Sequence, residues 1–160
     1  MKIRLANKND ASSILAIYKP YIENTTYTFE TEVPALISFE KRISDYLIHW
    51  PWLVCEDDGI IAGYAYASKY RERKGYQWCV ESSIYIHEDY MQRGVGKILY
   101  ETLLEILQKQ GYRNVYAVIN LPNADFVFPA AGLSGSRLIL QIYLALGGTL
   151  TNEVNQPNLQ

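Results

Sequence analysis

The first fifty residues place hydrophobic side chains at the spacing of one short strand and two amphipathic helices. Residues 2–5 predict the strand. One helix presents its apolar face at Ile14, Leu15, Tyr18, Tyr21 and Ile22. Asn9 or Asp10 can cap this helix, and Pro20 should kink or end it. After a polar, threonine-rich loop at 23–32, a second helix begins at Pro34 and presents Leu36, Phe39, Ile43 and Leu47.

From residue 51 the pattern changes to short apolar runs that predict strands. Residues 51–56 and 60–68 form two such runs, and Asp57-Asp58-Gly59 between them predicts a hairpin turn. A basic loop at 69–75 precedes a longer strand at 76–86. Helical spacing then returns from about Gly94 to Gln110, closed by Gly111, and an apolar strand follows at 115–119.

This order of elements, β-α-α-β-β-β-α-β up to residue 119, predicts an α/β (α+β) fold. The hairpin makes part of the sheet antiparallel, and the strand–helix–strand unit at 76–119 should be a parallel crossover. The expected result is a mixed sheet with helices packed on it, in one domain over residues 1–160. Beyond residue 120 only 137–144 is apolar enough for a strand, and 149–160 predicts a frayed tail.

Composition narrows the class of protein. The chain is 49% hydrophobic and 20% charged with a net charge of -2, which predicts neither nucleic-acid nor membrane-surface binding. No apolar run reaches the roughly 18 residues of a membrane span, and the first residues lack a secretory signal. Cys55 and Cys79 have no metal-site spacing, so we expect no metal. A cytoplasmic location is the expectation.

A glycine-containing segment at 92–97, Gln-Arg-Gly-Val-Gly-Lys, stands where the last predicted helix opens. Free backbone N–H groups and the positive end of the helix dipole make such a position an anion site suited to phosphate. The segment is not a P-loop, because Met91 stands where the first glycine belongs. It is not a dinucleotide fingerprint either, because Leu99 replaces the third glycine. A simple turn before a helix is the alternative interpretation.

Glu81 is unusual because it lies inside the apolar strand at 76–86. A buried carboxylate without a partner has a raised pKa, and near a phosphate-binding helix start it becomes a candidate general base. Alternatively, Glu81 pairs with an arginine or lysine across the sheet, or faces water.

Taken together, several segments resemble the GNAT superfamily of N-acetyltransferases, and within it the branch of phosphinothricin acetyltransferases. The resemblance covers residues 1–123 and rests on segments 24–30, 46–54, 64–67, 71–73, 80–86, 92–97 and 117–123. It implies a mixed, mostly antiparallel sheet with helices on both faces. It also implies transfer of an acetyl group from acetyl-CoA, as co-substrate, to a small amine or amino acid such as phosphinothricin or methionine sulfoximine. A homodimer is one assembly that it suggests.

The resemblance also implies roles for particular residues. Glu81 falls on the proposed base, which takes a proton from the substrate ammonium. The family's binding segment for the diphosphate of CoA corresponds to Gln92, Arg93, Gly94, Val95, Gly96 and Lys97. The strand backbone that pairs with the pantetheine arm corresponds to Ile84, Tyr85 and Ile86. Asn123 falls on a further acetyl-CoA contact. Tyr27 and Phe29 fall on the acceptor loop. Arg71 and Arg73 are candidates to hold an acceptor carboxylate.

The chain departs from this branch after Asn123. The expected helix carries Pro129, and Ala130 stands in place of a histidine, so the part at 124–160 is predicted to be a divergent tail. Divergence, a truncated or frameshifted gene and a cloning artefact all explain the change; a frameshift fits the abrupt end of the match best. Two other functions therefore stay open: an acyl-CoA-binding protein without turnover, and acetylation of a protein amino terminus.

Overall fold

The structure, a computed structural model, describes residues 1–120 and 139–145. It contains three α-helices in this part of the chain: α1 (Ala11–Asn24), α2 (Leu36–Leu47) and α3 (Val95–Lys109). Its strands are β1 (Lys2–Leu5), β2 (Trp52–Asp57), β3 (Ile60–Lys69), β4 (Cys79–Ile86), β5 (Asn114–Asn120) and β6 (Ile139–Ala145). The predicted order of elements is confirmed as far as residue 120.

All six strands form one sheet in chain order. The pairs β1–β2, β2–β3 and β3–β4 are antiparallel, whereas the pairs β4–β5 and β5–β6 are parallel. The sheet is therefore mixed and mostly antiparallel, as predicted, and the β4–α3–β5 unit is a parallel crossover. The strand predicted at 137–144 is present as β6, while the tail predicted at 149–160 lies outside the described residues.

Helices cover both faces of the sheet. Successive side chains of β2 face opposite sides of the sheet: Leu53 packs beneath α3, and the next residue, Val54, packs beneath α1 and α2. The α3 side is filled by aliphatic residues, among them Val80, Leu99 and Leu103. The other side is aromatic and includes Tyr18, Phe39, Trp52 and Tyr64. These two buried layers fix the strands whose ends carry the candidate site.

Asp10, one of the two predicted caps, stands at the N-cap position of α1, but its side chain makes no capping hydrogen bond there. Asn7 caps the short 3-10 turn Lys8–Asp10 that precedes α1: its side chain accepts the Asn9 N–H at 2.9 Å, and the Asp10 carboxylate accepts the Asn7 N–H at 2.8 Å. Arg4 donates two further hydrogen bonds to the Asp10 carboxylate, both at 2.8 Å. Asp10 therefore joins α1 to β1 and leaves the first turn of α1 without a side-chain cap.

Pro20 does not end α1, which continues to Asn24. Proline removes one helical hydrogen bond, but Ile17 and Ile22 on either side of it are buried against the sheet, and their packing holds the helix together. The hairpin prediction is confirmed. Asp58 (φ 47°) and Gly59 (φ 82°) both adopt the left-handed conformation that a two-residue hairpin turn requires.

Candidate active site

β4 and β5 separate before β4 ends. Their parallel pairing runs only from Cys79 opposite Asn114 to Ser82 opposite Ala117, although β4 continues to Ile86. On its other side β4 stays paired with β3 up to Ile86. Residues 83–86 of β4 therefore present one backbone edge that β5 does not cover. An extended chain that carries amide groups can pair with such an edge as an added strand does.

The first turn of α3 lies over this open part of β4. A Cβ atom built on Gly96 would lie 3.8 Å from Cδ1 of Ile86 and 3.9 Å from Cδ1 of Ile84. Gly94 precedes the helix in the left-handed conformation (φ 80°), and no side chain caps this helix end. The amides of the first turn are thus available to an anion close to the open edge.

The predicted diphosphate segment differs in exposure from residue to residue. Gln92, Arg93, Gly94 and Lys97 are exposed, Gly96 is partly buried, and Val95 is buried in the core beneath α3. The Arg93 guanidinium lies 5.2 Å above the ring of Tyr90, and Lys97 lies 3.9 Å from Glu101. Val95 therefore contributes its backbone N–H rather than its side chain to this part of the site.

Glu81 lies on β4 just before the two strands separate. Val80 is buried on the α3 side, so the side chain of Glu81 projects to the face of α1 and α2. Its register partners are Ser68 on β3 and Tyr116 on β5. Burial alone raises the pKa of Glu81, and among the described residues no arginine, lysine or histidine forms an ion pair with it.

Beside Glu81, aromatic rings hold one of the two candidate arginines. Tyr116 stacks on Tyr70 with ring centroids 3.9 Å apart. The guanidinium of Arg71 lies 4.9 Å from the centre of the Tyr70 ring and 5.5 Å from that of Tyr76. Arg73 is exposed and makes no ion pair with any residue that the structure describes. The structure thus connects Arg71, but not Arg73, to the surroundings of Glu81.

The two candidate acceptor-loop residues also differ. Tyr27 is partly buried and lines a shallow, open surface depression together with Glu23, Asn24, Thr25 and Thr26. Phe29 is 76% exposed. Tyr27 is therefore better placed than Phe29 to form a wall. Asn123, the remaining candidate, lies outside the described residues.

Three further tyrosines lie beside the site, and none of them was among the candidate site residues predicted from the sequence. Tyr116 and Tyr70 form the stack beside Glu81, and Tyr21 of α1 contacts the open edge of β4 at Ile86. The sequence placed Tyr21 only on the apolar face of a helix. Its contact with residue 86 depends on how α1 crosses the sheet, which no local pattern encodes.

A mixed sheet that opens between two parallel strands, with an uncapped helix start above it and a half-buried carboxylate beside it, suits a long phosphorylated thioester. The family model described as the acetyltransferase (GNAT) domain matches residues 3–132. The chain belongs to this family, so it is an acetyltransferase with acetyl-CoA as its co-substrate.

Individual relatives agree with this assignment. The chain is 37% identical to phosphinothricin N-acetyltransferase of Streptomyces viridochromogenes over 77% of this chain and 67% of that protein. It is 29% identical to the L-methionine sulfoximine/L-methionine sulfone acetyltransferase of Salmonella typhimurium over 98% and 84%. The crystal structure of a phosphinothricin acetyltransferase from Sinorhizobium meliloti in complex with AcCoA superimposes with a TM-score of 0.71, at 34% identity, covering 74% and 65%.

The described residues contain no helix long and apolar enough to cross a membrane. Nor do they contain a group of three or more histidine, cysteine, aspartate or glutamate side chains able to hold a metal ion.

Proposed function

We propose that this protein transfers the acetyl group of acetyl-CoA to the amine of a small amino acid or amino-acid analogue of the phosphinothricin or methionine sulfoximine type. The observation that carries the proposal is the position of Glu81. Its carboxylate lies one residue before the point where β4 separates from β5, and the first turn of α3 lies over the open part of the same strand.

Each part of acetyl-CoA has a matching element in this arrangement. The amides of Val95, Gly96 and Lys97 would bind the diphosphate, with Arg93 and Lys97 adding positive charge. Ile84, on the exposed edge of β4, has the backbone N–H and C=O that would pair with the amide groups of the pantetheine arm. An arm that runs along this edge from the start of α3 carries its thioester toward Glu81.

The chemistry follows from the raised pKa of Glu81. Burial makes this carboxylate a stronger base than an exposed glutamate, so it accepts a proton from the acceptor ammonium. The free amine then attacks the thioester carbonyl carbon and forms a C–N bond. When the oxyanion collapses, the C–S bond breaks and CoA leaves as a thiolate, which takes up the second proton that the nitrogen loses as the amide forms. Both substrates are bound together, so no acyl-enzyme forms.

Arg71 is our candidate for the acceptor carboxylate. The rings of Tyr70 and Tyr76 contact its guanidinium, and Tyr70 stacks on Tyr116, the register partner of Glu81. A planar guanidinium can donate two parallel hydrogen bonds to a carboxylate, which would fix the orientation of an α-amino acid. Arg73 would add a second charge, and Tyr27 would line the acceptor site, with the more exposed Phe29 on the same loop.

A direct test incubates the full chain with acetyl-CoA and single acceptors, with free CoA followed by a thiol reagent and the product by mass spectrometry. We expect N-acetylated product with phosphinothricin, methionine sulfoximine or related amino acids. CoA binding without product would instead support an acyl-CoA-binding protein. Product only with peptide amino termini would support a protein N-terminal acetyltransferase.

We also propose a cytoplasmic homodimer. Two cysteines, Cys55 and Cys79, are buried and unoxidised, which suits a reducing compartment. Leu36, Ile37 and Ile48 in and after α2 are 42%, 77% and 72% exposed, and a second copy that packed there would bury them. Sedimentation velocity tests the assembly, and Ile37→Glu should give a monomer; a monomeric unsubstituted protein would contradict this proposal.

A further inference from the structure

Tyr21 contacts the backbone of the open strand edge at one residue. Its hydroxyl donates a hydrogen bond to the carbonyl oxygen of Ile86 at 2.7 Å and accepts one from the Ile86 N–H at 3.4 Å. The next N–H, that of His87, donates to Ala62 on β3. In an antiparallel pair this means that the N–H and C=O of Ile86 point away from β3, toward the edge that β5 does not cover.

The Tyr21 ring is held in place by its neighbours. It is partly buried and meets the ring of Tyr85 edge-on, with centroids 5.1 Å apart. The backbone carbonyl of Tyr21 accepts a hydrogen bond from the Thr25 hydroxyl at 2.6 Å. The same hydroxyl oxygen, Oγ1 of Thr25, accepts a hydrogen bond from the N–H of Tyr27 at 3.1 Å. One residue thus contacts the open edge through its side chain and the acceptor loop through its backbone.

We propose that Tyr21 is a positioning residue that limits how far a thioester arm pairs along β4. This inference rests on the proposed function. Because the hydroxyl takes both outward backbone groups of Ile86, an amide-bearing arm finds its partners on the preceding part of the edge, at Ile84. The arm is then held in one register, which sets the distance between the thioester and Glu81.

The test compares Tyr21→Phe with the unsubstituted protein. Removing the hydroxyl exposes the Ile86 N–H and C=O as additional partners, so the arm can pair in more than one register. We expect the Kd for acetyl-CoA to stay the same or fall, while kcat at saturating acceptor falls about 10- to 100-fold, since a small misplacement of reacting atoms has effects of that size. If Tyr21 only supported the fold, Tyr21→Phe would also raise the Kd for acetyl-CoA and lower the Tm.

Tyr18→Phe is the matched control. Tyr18 lies one turn earlier on α1; its ring meets that of Tyr85, and its hydroxyl contacts Oγ1 of Thr28 at 2.6 Å rather than the backbone of β4. We expect it to leave Kd for acetyl-CoA and kcat nearly unchanged. Exchange of the Ile86 amide hydrogen, measured by NMR without any coenzyme, should become faster in Tyr21→Phe and not in Tyr18→Phe.

The results distinguish a failure of the role proposed for Tyr21 from a failure of the proposed function. If the unsubstituted protein neither binds acetyl-CoA nor acetylates any acceptor, the proposed function fails and the inference fails with it. If the unsubstituted protein is active but Tyr21→Phe keeps its kcat, or binds acetyl-CoA more weakly, only the role of Tyr21 is overturned.

Discussion

Glu81 on β4 lies opposite Tyr116 on β5, one position before the pairing of these strands ends at Ser82 and Ala117. This relationship places a carboxylate at the point where the sheet opens. Tyr116 is 8% exposed and, with Tyr70, shields one side of Glu81 from water. The same geometry that separates the strands therefore also keeps the carboxylate partly dehydrated.

Glu81→Gln should lower turnover at neutral pH by about 100-fold or more, the usual contribution of a general base, because an amide cannot accept the ammonium proton. The Kd for acetyl-CoA should hardly change, since Glu81 is not part of the diphosphate segment. Steady-state kinetics and calorimetric titration measure the two quantities. Glu72→Gln, at an exposed glutamate that pairs with Lys69, is the control and should retain its activity.

The pH profile provides an independent check on this role. Burial raises the pKa of Glu81 above the ordinary 4.5, and the base works only when deprotonated. Accordingly, kcat/KM should fall as pH drops through a value above 4.5, and this limb should disappear in Glu81→Gln. Full turnover in the amide variant would exclude Glu81 as the base.

The stability of the fold should also depend on the ionisation of Glu81, but in the opposite direction from activity: the deprotonated form that acts as the base is the less stable one. A pKa raised in the folded state means that the folded protein favours the protonated form, so ionisation of Glu81 costs stability as pH rises through its folded pKa. Glu81→Gln avoids this cost. We expect its Tm to equal that of the unsubstituted protein below pH 4.5 and to exceed it at pH 8, as measured by differential scanning calorimetry. A Tm difference independent of pH would contradict the assignment.

The sequence predicted the elements well because their signals are local. The helical period around Leu99 and Leu103 and the Asp58-Gly59 turn are each encoded within a few residues, and both are present in the structure. Asp10 stands at the start of α1 as predicted, but its lack of a capping hydrogen bond was not predictable from the sequence, because its carboxylate binds Arg4 of β1 and the Asn7 N–H instead.

The site was predictable where one segment carries it and unpredictable where distant segments meet. The start of α3 follows from Gly94 and the residues after it. The stacking of Tyr70 on Tyr116 joins residues that are 46 positions apart in the chain. The contact of Tyr21 with Ile86 joins residues that are 65 positions apart. Aromatic side chains have no spacing rule over such distances, so the sequence identified them only as strand or helix residues.

The two glycines at the start of α3 should respond differently to alanine. Gly94 has φ 80°, where an alanine side chain is strained by about 1–2 kcal/mol, although no atom lies within 4 Å of the built Cβ. Gly96 has no such strain, and its built Cβ meets Ile86 only at an ordinary 3.8 Å. Gly94→Ala should therefore lower the free energy of unfolding, while Gly96→Ala should leave it unchanged or raise it by up to about 1 kcal/mol.

Chemical denaturation of both variants measures this difference. Gly94→Ala should also weaken acetyl-CoA binding, because the left-handed residue orients the amides of the first turn. Equal stability of the two variants would show that the segment relaxes to another backbone conformation and does not rely on Gly94.

Arg71 and Arg73 offer the sharpest test of acceptor recognition, because they share a loop and a charge but differ in their surroundings. Both side chains are exposed, but the guanidinium of Arg71 lies against the rings of Tyr70 and Tyr76, and Arg73 has no such ring contact among the described residues. Arg71→Ala should raise the KM for an amino-acid acceptor about 10-fold or more, as expected for the loss of a charge-assisted hydrogen bond of about 1.5–3 kcal/mol. Arg73→Ala should change it much less.

Arg71→Lys distinguishes shape from charge at this position. Lysine keeps the positive charge but loses the planar fork that donates two parallel hydrogen bonds, so KM should recover only in part. An amine without a carboxylate gives the internal control, since its KM should be the same in all three variants. If Arg73→Ala impairs amino-acid acceptors as strongly as Arg71→Ala, the aromatic rings do not select the binding arginine, and the loop acts through its total charge.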